Sequence, residues 1–378
     1  MGEWKQCKWG DLATLEYGKA LQDYLRDDGK YPVFGTNGKI GTTNSYVCPY
    51  PSIIIGRKGA YRGVHFSSTP FYVIDTAFYL KPKINNLDMT FAYYHLRTVD
   101  INYMDSGSAI PSTSREDFYD LDILLPPLPE QKSIASVLSS IDDKIDLLHR
   151  QNKTLEALAE TLFRQLFVEE AEEGWETTSL YDVIELVGGG TPKTEITEYW
   201  DGEIKWISAR DITPNHKGFI LETEKTITDI GLKNSSARIL PKYSTVISAR
   251  GTVGKYCLLA EDMAFSQSNY GIKPKFKDGY FFTYLLVASC VDELQAAAYG
   301  SVFDTITTNT FKEHKIQLPP ETEMLAFERG IRPYFQKVLQ NCYQIRTLTR
   351  LRDTLLPKLM SGEVRIKMGE STTQHENS

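Results

Sequence analysis

The sequence predicts an α+β fold: two β-rich domains joined by two long helices that form an antiparallel coiled coil, all related by a pseudo-two-fold internal duplication. Three observations predict it. The chain is written twice. Each copy turns from strand-like to helical patterning at a Leu-Pro-Pro. The two helical stretches carry heptads whose polar layers match only when the helices run in opposite directions.

Residues 51–83 align with residues 243–275 at a shift of 192 without a gap. Lys58 falls on Arg250, Gly59 on Gly251, and Lys81-Pro82-Lys83 on Lys273-Pro274-Lys275. After one inserted residue, Gly107-Ser108 matches Gly300-Ser301, and Leu125-Pro126-Pro127 matches Leu318-Pro319-Pro320. Each copy opens near a tryptophan, Trp9 or Trp175. So long a period means domain duplication rather than a solenoid. The expected boundaries are a first β-rich domain at 1–125, a long helix and acidic linker at 126–174, a second β-rich domain at 175–318, a second long helix at 319–366, and a polar, disordered tail at 367–378.

Before each Leu-Pro-Pro, short β-branched and aromatic runs alternate with Gly, Asn and Pro. Examples are Ser52-Ile-Ile-Ile55, Phe71-Tyr-Val-Ile74, Lys205-Trp-Ile-Ser208 and Thr245-Val-Ile247. Asn37-Gly38, between Val33-Phe34 and Ile40, reads as a type I′ hairpin turn.

In the first helix, positions 134, 138, 141, 145, 148, 152, 155, 159, 162 and 166 alternate steps of four and three, and all are apolar except Asn152. The same seam lies 193 residues on, where Asn341 and Arg352 are the polar members. Flush antiparallel ends pair 134 with 359 and 166 with 327, a constant index sum of 493, and that register sets Asn152 against Asn341. A parallel register would leave each amide facing Ile345 or Leu148, at about 1–3 kcal/mol per unpaired group. Arg352 falls opposite Ile141 and fits only if its head leaves the seam. At ~1.5 Å per residue such a pair spans roughly 50 Å, with a domain expected toward each end, enough to reach half-sites about one DNA turn of ~34–36 Å apart.

Composition sets limits. The net charge of −7 excludes a wholly basic nucleic-acid binder, and 41% hydrophobic residues exclude disorder throughout. The first β-rich part carries 13 basic against 14 acidic residues and the second 15 against 18. Any affinity for DNA must therefore come from cations gathered on one face. Five scattered cysteines without Cys-x-x-Cys, and histidines without His-Glu-x-x-His, give no disulfide framework and no metal site. No membrane span or signal peptide is expected, and the setting is expected to be cytoplasmic. The Val187–Thr194 stretch fails as a phosphate loop because Pro192 stands where glycine must precede the lysine. Neither a methyltransferase Asn-Pro-Pro-aromatic motif nor a convincing nuclease motif is present, so the chain is read as non-enzymatic.

The order of Phe34-Gly-Thr-Asn-Gly-Lys-Ile-Gly41, Leu125-Pro-Pro-Leu-Pro-Glu-Gln131 with its heptads, Gly188-Gly-Gly-Thr-Pro192 and Leu355-Leu-Pro-Lys-Leu-Met-Ser-Gly-Glu-Val364 resembles the specificity subunit of type I restriction–modification systems. The likeness runs from about residue 4 to 366. It implies two target-recognition domains that each read half of a split double-stranded DNA site. The helices would separate the halves and dock modification subunits, two of them expected, with restriction subunits in a cleavage system. The resemblance puts no cofactor on this chain and S-adenosylmethionine on the modification subunits. The sequence departs from the pattern at Glu321-Thr-Glu323-Met324, where the first copy has Leu128-Pro-Glu-Gln131.

The candidate DNA contacts begin with Arg57, Lys58, Tyr61 and Arg62 in the first copy and Arg250 and Lys255 in the second, where glycines let a backbone come close to phosphates. An exposed charged hairpin is the competing reading. Lys39, Arg115, Arg210, His216 and Lys217 differ between the copies and are candidates for reading bases, with plain surface solvation as the favoured alternative for each, and Lys193 is a further candidate DNA contact. Glu130, Gln131, Asp142, Asp146, Arg346 and Arg350 are candidates for partner binding, with interhelical pairing as the alternative.

Overall fold

A computed structural model describes residues 3–24, 28–104, 110–172, 174–299 and 304–366. The chain divides into two compact units, residues 1–145 with 347–378, and residues 146–346. The Gly107-Ser108/Gly300-Ser301 match and the tail beyond 366 lie outside the described residues.

Unit 1 contains β1 (Lys5–Lys8), α1 (Trp9–Leu12), β2 (Ala13–Tyr17), β3 (Tyr31–Gly35), β4 (Gly38–Thr43), β5 (Ser52–Gly56), β6 (Val64–Ser67), β7 (Tyr72–Val73), β8 (Ala77–Pro82), α2 (Met89–Leu96), α3 (Arg115–Asp120), β9 (Asp122–Leu125) and the first half of α4 (Leu128–Arg164). Unit 2 takes the rest of α4, then β10 (Glu176–Ser179), α5 (Leu180–Val183), β11 (Ile184–Gly188), β12 (Trp200–Ile207), α6 (Ala209–Ile212), β13 (Phe219–Ile220), β14 (Lys225–Ile227), α7 (Asp229–Lys233), β15 (Ile239–Leu240), β16 (Thr245–Ser248), β17 (Tyr256–Leu259), β18 (Met263–Phe265), β19 (Asn269–Pro274), α8 (Tyr280–Tyr299), α9 (Thr308–Glu313), β20 (Lys315–Leu318) and the first part of α10 (Glu321–Ser361). The last part of α10 belongs to unit 1.

The sheets repeat the duplication. In unit 1 the strand orders are β2-β8-β5-β6 and β4-β3-β7, and in unit 2 they are β11-β19-β16-β17-β13 and β14-β12-β18-β15. The parallel β3–β7 pair has its counterpart in the parallel β12–β18 pair. Each unit is closed by its first strand pairing antiparallel with its last: Lys5 lies opposite Leu125, and Glu176 opposite Leu318. That clasp brings each Leu-Pro-Pro back to where its β-rich part began. Proline then stops the strand and opens the helix, and the Pro127 carbonyl accepts from Glu130 N and Gln131 N.

The β3–β4 hairpin is present, but its turn is shifted by one residue from the expected one. Gly35 pairs with Gly38, so Thr36 and Asn37 form the loop. Gly38 takes φ +113 at the start of β4. The Thr36 hydroxyl, 2.9 Å from the Lys58 carbonyl and 2.7 Å from that of Thr76, ties the loop to its neighbours.

Both cores include the long helices. In unit 1, Trp9, Phe78, Phe91 and Phe118 pack with Ile134 and Leu138 of α4 and Leu356 and Leu359 of α10. In unit 2, Tyr256, Phe281 and Phe282 pack with Ala159 and Phe163 of α4 and Phe327, Ile331 and Phe335 of α10. These contacts are the antiparallel pairing read from the heptads. Phe335 and Leu339 are buried outside the heptad seam, and Phe335 stacks on Phe281 at 4.6 Å. The α10 helix thus has a second apolar stripe facing α8 that a two-position seam does not contain. The helix α8 is also long and apolar enough to cross a membrane, which the sequence reading did not anticipate. Its apolar side chains, among them Phe281, Leu285, Val287 and Leu294, are spent in the unit 2 core instead.

Within unit 2 the buried Asn341 Nδ2 donates to Asn152 Oδ1 at 2.8 Å. Asn152 Nδ2 reaches Cys342 Sγ at 3.5 Å. Within unit 1 the Arg352 head does leave the seam: its Nη1 donates to Asp142 Oδ1 at 2.7 Å.

Two predictions follow from this packing. Replacing Asn152 alone with leucine should lower stability by about 1–3 kcal/mol, because the buried Asn341 amide loses its 2.8 Å acceptor and keeps only the 3.4 Å contact to Gln151 Oε1. Replacing both Asn152 and Asn341 should recover most of that loss in a denaturant-melt double-mutant cycle, and additive losses would show that the pair is not coupled. The second concerns His95, whose Nδ1 accepts from Trp9 Nε1 at 3.4 Å. Burial pushes the imidazole down to about 4. The unfolded chain therefore binds the extra proton first, near 6.5, and stability falls as pH drops from there toward 4. His95→Gln should remove about 2 kcal/mol of the stability difference between pH 7 and pH 5, read from urea melts at the two pH values.

Candidate nucleic-acid interface

The loop after β5 and the loop after β16 are held by the same backbone bonds. In unit 1, Arg57 N donates to Thr76 O at 2.9 Å, Thr113 N to Arg57 O at 2.9 Å, and Gly56 N to Gly63 O at 2.8 Å. The equivalent bonds in unit 2 are Ala249 N to Ser268 O at 2.9 Å, Ile306 N to Ala249 O at 3.1 Å, and Ser248 N to Lys255 O at 2.7 Å. Lys58 and Arg250 therefore occupy one position of a duplicated frame, and both are exposed. The glycine that follows each has positive φ, +120 at Gly59 and +78 at Gly251. A Cβ at Gly251 would meet nothing within 4 Å, and one at Gly59 nothing closer than 3.9 Å. No side chain crowds either glycine, and although the Gly59 N–H is already donated to Pro111 O at 3.0 Å, each loop sets an exposed cation beside an uncovered turn, which suits a phosphate.

A second loop joins the first in each unit. In unit 1 it is Thr36-Asn37, where Asn37 Nδ2 donates to Tyr61 O at 2.7 Å in the amide orientation that satisfies both its ends. Lys39 is exposed just beyond, and Tyr61 is 81% exposed. In unit 2 it is the segment through α6, where the Thr213 and Thr252 hydroxyls meet at 3.2 Å. That contact draws Arg210, His216 and Lys217 onto the element beside Arg250 and Lys255. Arg210 is exposed, with Glu224 at 4.0 Å. Lys217 is exposed, with φ +67, and its backbone N donates to Tyr256 O at 2.9 Å. Burial, then the charges of Lys255 and Lys217, hold the His216 imidazole below its usual range. Its Nδ1 lies 3.3 Å from Tyr256 N and 3.4 Å from Tyr256 O, and the lowered imidazole favours a neutral ring over a cation at this place.

Lys193 is exposed at the end of the glycine run, and its carbonyl accepts from Trp200 Nε1 at 3.2 Å. That run is a turn after a strand. A Cβ at Gly189 would stand 2.2 Å from the Ser266 carbonyl oxygen, and one at Gly18 would stand 2.0 Å from that of Ile74. Gly18 and Gly189 are thus the same close crossing in the two copies, although their neighbours differ.

Three expectations need correction, at Arg62, Gln131 and Glu130, and two more candidates are found in ion pairs. Arg62 is only 4% exposed, and its Nη2 donates to Asn102 O at 2.8 Å, so it holds the loop from inside and does not face a ligand. Gln131 is fully buried, donating to Asn86 O and Pro126 O and accepting from Asp88 N. Glu130 is buried against Arg365, which holds its carboxyl below the usual range, and it accepts from Trp4 Nε1. Asp142 accepts from Arg352 and Tyr94 and pairs with Arg97. Arg346 pairs with Glu222 and lies over the Tyr343 ring. Glu130 and Gln131 are thus enclosed within unit 1, whereas Asp142 and Arg346 are paired within their own units and stay partly exposed. Asp146 and Arg350 are exposed.

Arg57 and Arg115 are half-buried for another reason. Arg57 lies over the Tyr17 ring at 4.8 Å, and Arg115 against the same ring at 5.2 Å. Tyr17 was not singled out in the sequence, because only the fold brings residues 17, 57 and 115 together. Among the described residues no group of three or more His, Cys, Asp or Glu is placed to hold a metal ion.

The chain matches the family model described as the type I restriction modification DNA specificity domain over residues 1–157 and again over 172–338. It is 24% identical over 302 residues to the type I restriction enzyme MjaIX specificity subunit of Methanocaldococcus jannaschii, covering 73% of this chain and 69% of that protein. It is 23% identical over 375 residues to the HindI specificity subunit of Haemophilus influenzae, covering 78% of this chain and 81% of the other. The crystal structure of the type I restriction–modification S subunit from M. genitalium superposes with a TM-score of 0.69 at 18% identity, over 97% of each chain. With two matched copies that together span most of its length, the chain belongs to the type I restriction–modification DNA specificity family.

Proposed function

We propose that this chain is the non-catalytic DNA-specificity subunit of a type I restriction–modification complex, in which each unit reads one half of a split double-stranded site. The observation that carries this reading is the duplicated loop frame, which sets Lys58 and Arg250 at the same position whatever the side chains around them. Both halves of a split site offer phosphates, so a shared cation is what two readers have in common. Residues that differ between the copies, such as Lys39 in one and Arg210 and Lys217 in the other, then read different bases. The paired α4 and α10 set the separation of the half-sites. Modification subunits dock on the assembly and carry S-adenosylmethionine, and restriction subunits join where the system cleaves. The setting is cytoplasmic, where such complexes meet DNA.

Binding is measured on the complex with its modification subunits, because neither β-rich part is basic overall. Lys58→Ala and Arg250→Ala should each weaken binding about equally across sequences and lower the salt slope by about 1. Slopes equal to the parent's would remove the phosphate role. Inserting seven residues both after Ile145 and after Arg346 should lengthen the helix pair by about 10 Å while keeping the heptad phase. Methylation mapping should then show a longer spacer between unchanged half-sites, and an unchanged spacer would rule out the helices as the ruler.

A further inference from the structure

We infer that Arg57, seated on Tyr17, reads a guanine at one base pair of the unit 1 half-site, and that unit 2 has no counterpart to this contact. The inference rests on the reading of the chain as a DNA-specificity subunit and adds a named reader, its base and an asymmetry between the half-sites.

The geometry is that of a prepositioned arginine. Arg57 Nη1 donates to Asp75 O at 2.8 Å, and the guanidinium lies over Tyr17 at 4.8 Å and Phe78 at 5.7 Å. Tyr17 itself packs edge-on against Phe78 at 5.0 Å. Arg115 braces the assembly from the other loop: it lies 5.2 Å from the Tyr17 ring, and its Nη2 donates to the Tyr119 hydroxyl at 3.0 Å. The aromatic platform and the carbonyl anchor fix the plane of Arg57, and its Nε and Nη2 have no protein acceptor among the described residues. Two parallel N–H donors on one fixed edge match the O6 and N7 acceptors of guanine in the major groove. A phosphate contact needs no such fixed plane, and exposed Lys58, one residue along, already supplies a point charge.

The duplication provides the control. The shared backbone bonds put Ala249 at the place of Arg57. The β2/β11 and α3/α9 correspondences put Gly188 at the place of Tyr17 and Thr308 at the place of Arg115. Reader, platform and brace are all absent from unit 2, on a frame that is otherwise the same. This cluster is therefore a place where the two loops, held by the same backbone bonds, present different side chains.

The test uses the complex with modification subunits and a library in which every base pair of both half-sites is varied. Arg57→Lys keeps the charge and loses the planar fork. It should reduce discrimination about tenfold or more at a single G·C pair of one half-site, with the other half-site and the salt slope unchanged. Tyr17→Phe, which keeps the ring, should retain the parent profile, and Tyr17→Leu should lose discrimination at that same pair. Uniform weakening with a reduced slope would make Arg57 a phosphate contact, and an unchanged profile would make the stack structural; either result overturns the inference. If the parent complex itself shows no preference for a split site, the functional reading fails rather than this assignment.

Discussion

One buried polar contact governs how the long helices pair. Asn341 is fully buried and donates to Asn152 across the α4–α10 seam. Almost every other seam position offers only aliphatic or aromatic surface, which sets depth and stickiness but not register. Sliding one helix by a heptad would set each amide against a hydrocarbon layer and leave its hydrogen-bonding groups unpaired. The contact therefore contributes less to total stability than to the choice among otherwise similar pairings. Arg352 and Asp142 carry the same logic into unit 1, since that ion pair also forms only at this register.

Register matters here because neither helix is a passive connector. Ile134 and Leu138 lie in the same core as Leu356 and Leu359, and Ala159 and Phe163 in the same core as Phe327 and Ile331. Each unit is built on half of one helix and half of the other, so a slip would misplace side chains in both cores at once. Glu328 shows the coupling at the level of a single group. It is buried on α10, and its carboxylate accepts the first backbone N–H groups of α8, Phe281 N and Phe282 N, at 2.9 and 2.8 Å. Burial pushes its carboxyl up to about 7, against the opposing pull of those N–H groups, the helix dipole and Arg332 at 2.9 Å.

Much of this was legible in the sequence because it is local or repeated. Steps of four and three specify a helix seam without knowledge of the fold, and a gapless shift of 192 carries strands β5 to β8 onto β16 to β19. What the sequence did not disclose is which polar side chains turn inward. Tyr61 and Arg62 are neighbours in one basic run, yet the first is 81% exposed and the second 4%. The pair lies in the turn before β6, where only tertiary contacts, here Arg62 Nη2 to Asn102 O, decide which side chain turns inward. Glu130 and Gln131 were misread for a similar reason, since a charged or amide residue at a helix start is usually exposed. Here the strand clasp returns the chain so that Gln131 is covered by the loop before α2 and Glu130 by Trp4 and Arg365. Tyr17 was invisible because its partners lie about 40 and 100 residues away.

The duplicated frame explains how two copies can diverge and still act alike. Bonds such as Arg57 N to Thr76 O and Ala249 N to Ser268 O involve only backbone atoms, so they hold for arginine and alanine equally. These bonds do not depend on the side chain at that one position, so substitution there changes what is recognised while the backbone bonds that present it are kept. Gly18 and Gly189, each beneath a crossing carbonyl, add a steric condition that both copies of the frame share. Charge adds a further constraint. Both β-rich parts are slightly acidic, so long-range attraction to DNA is weak and a bound state depends on a few well-placed cations. With so few, losing one that both copies share weakens every site, whereas losing one that only a single copy has alters the choice among sites. That difference follows from where each cation sits on the frame, and it separates affinity from specificity in a chain whose two halves otherwise follow the same plan.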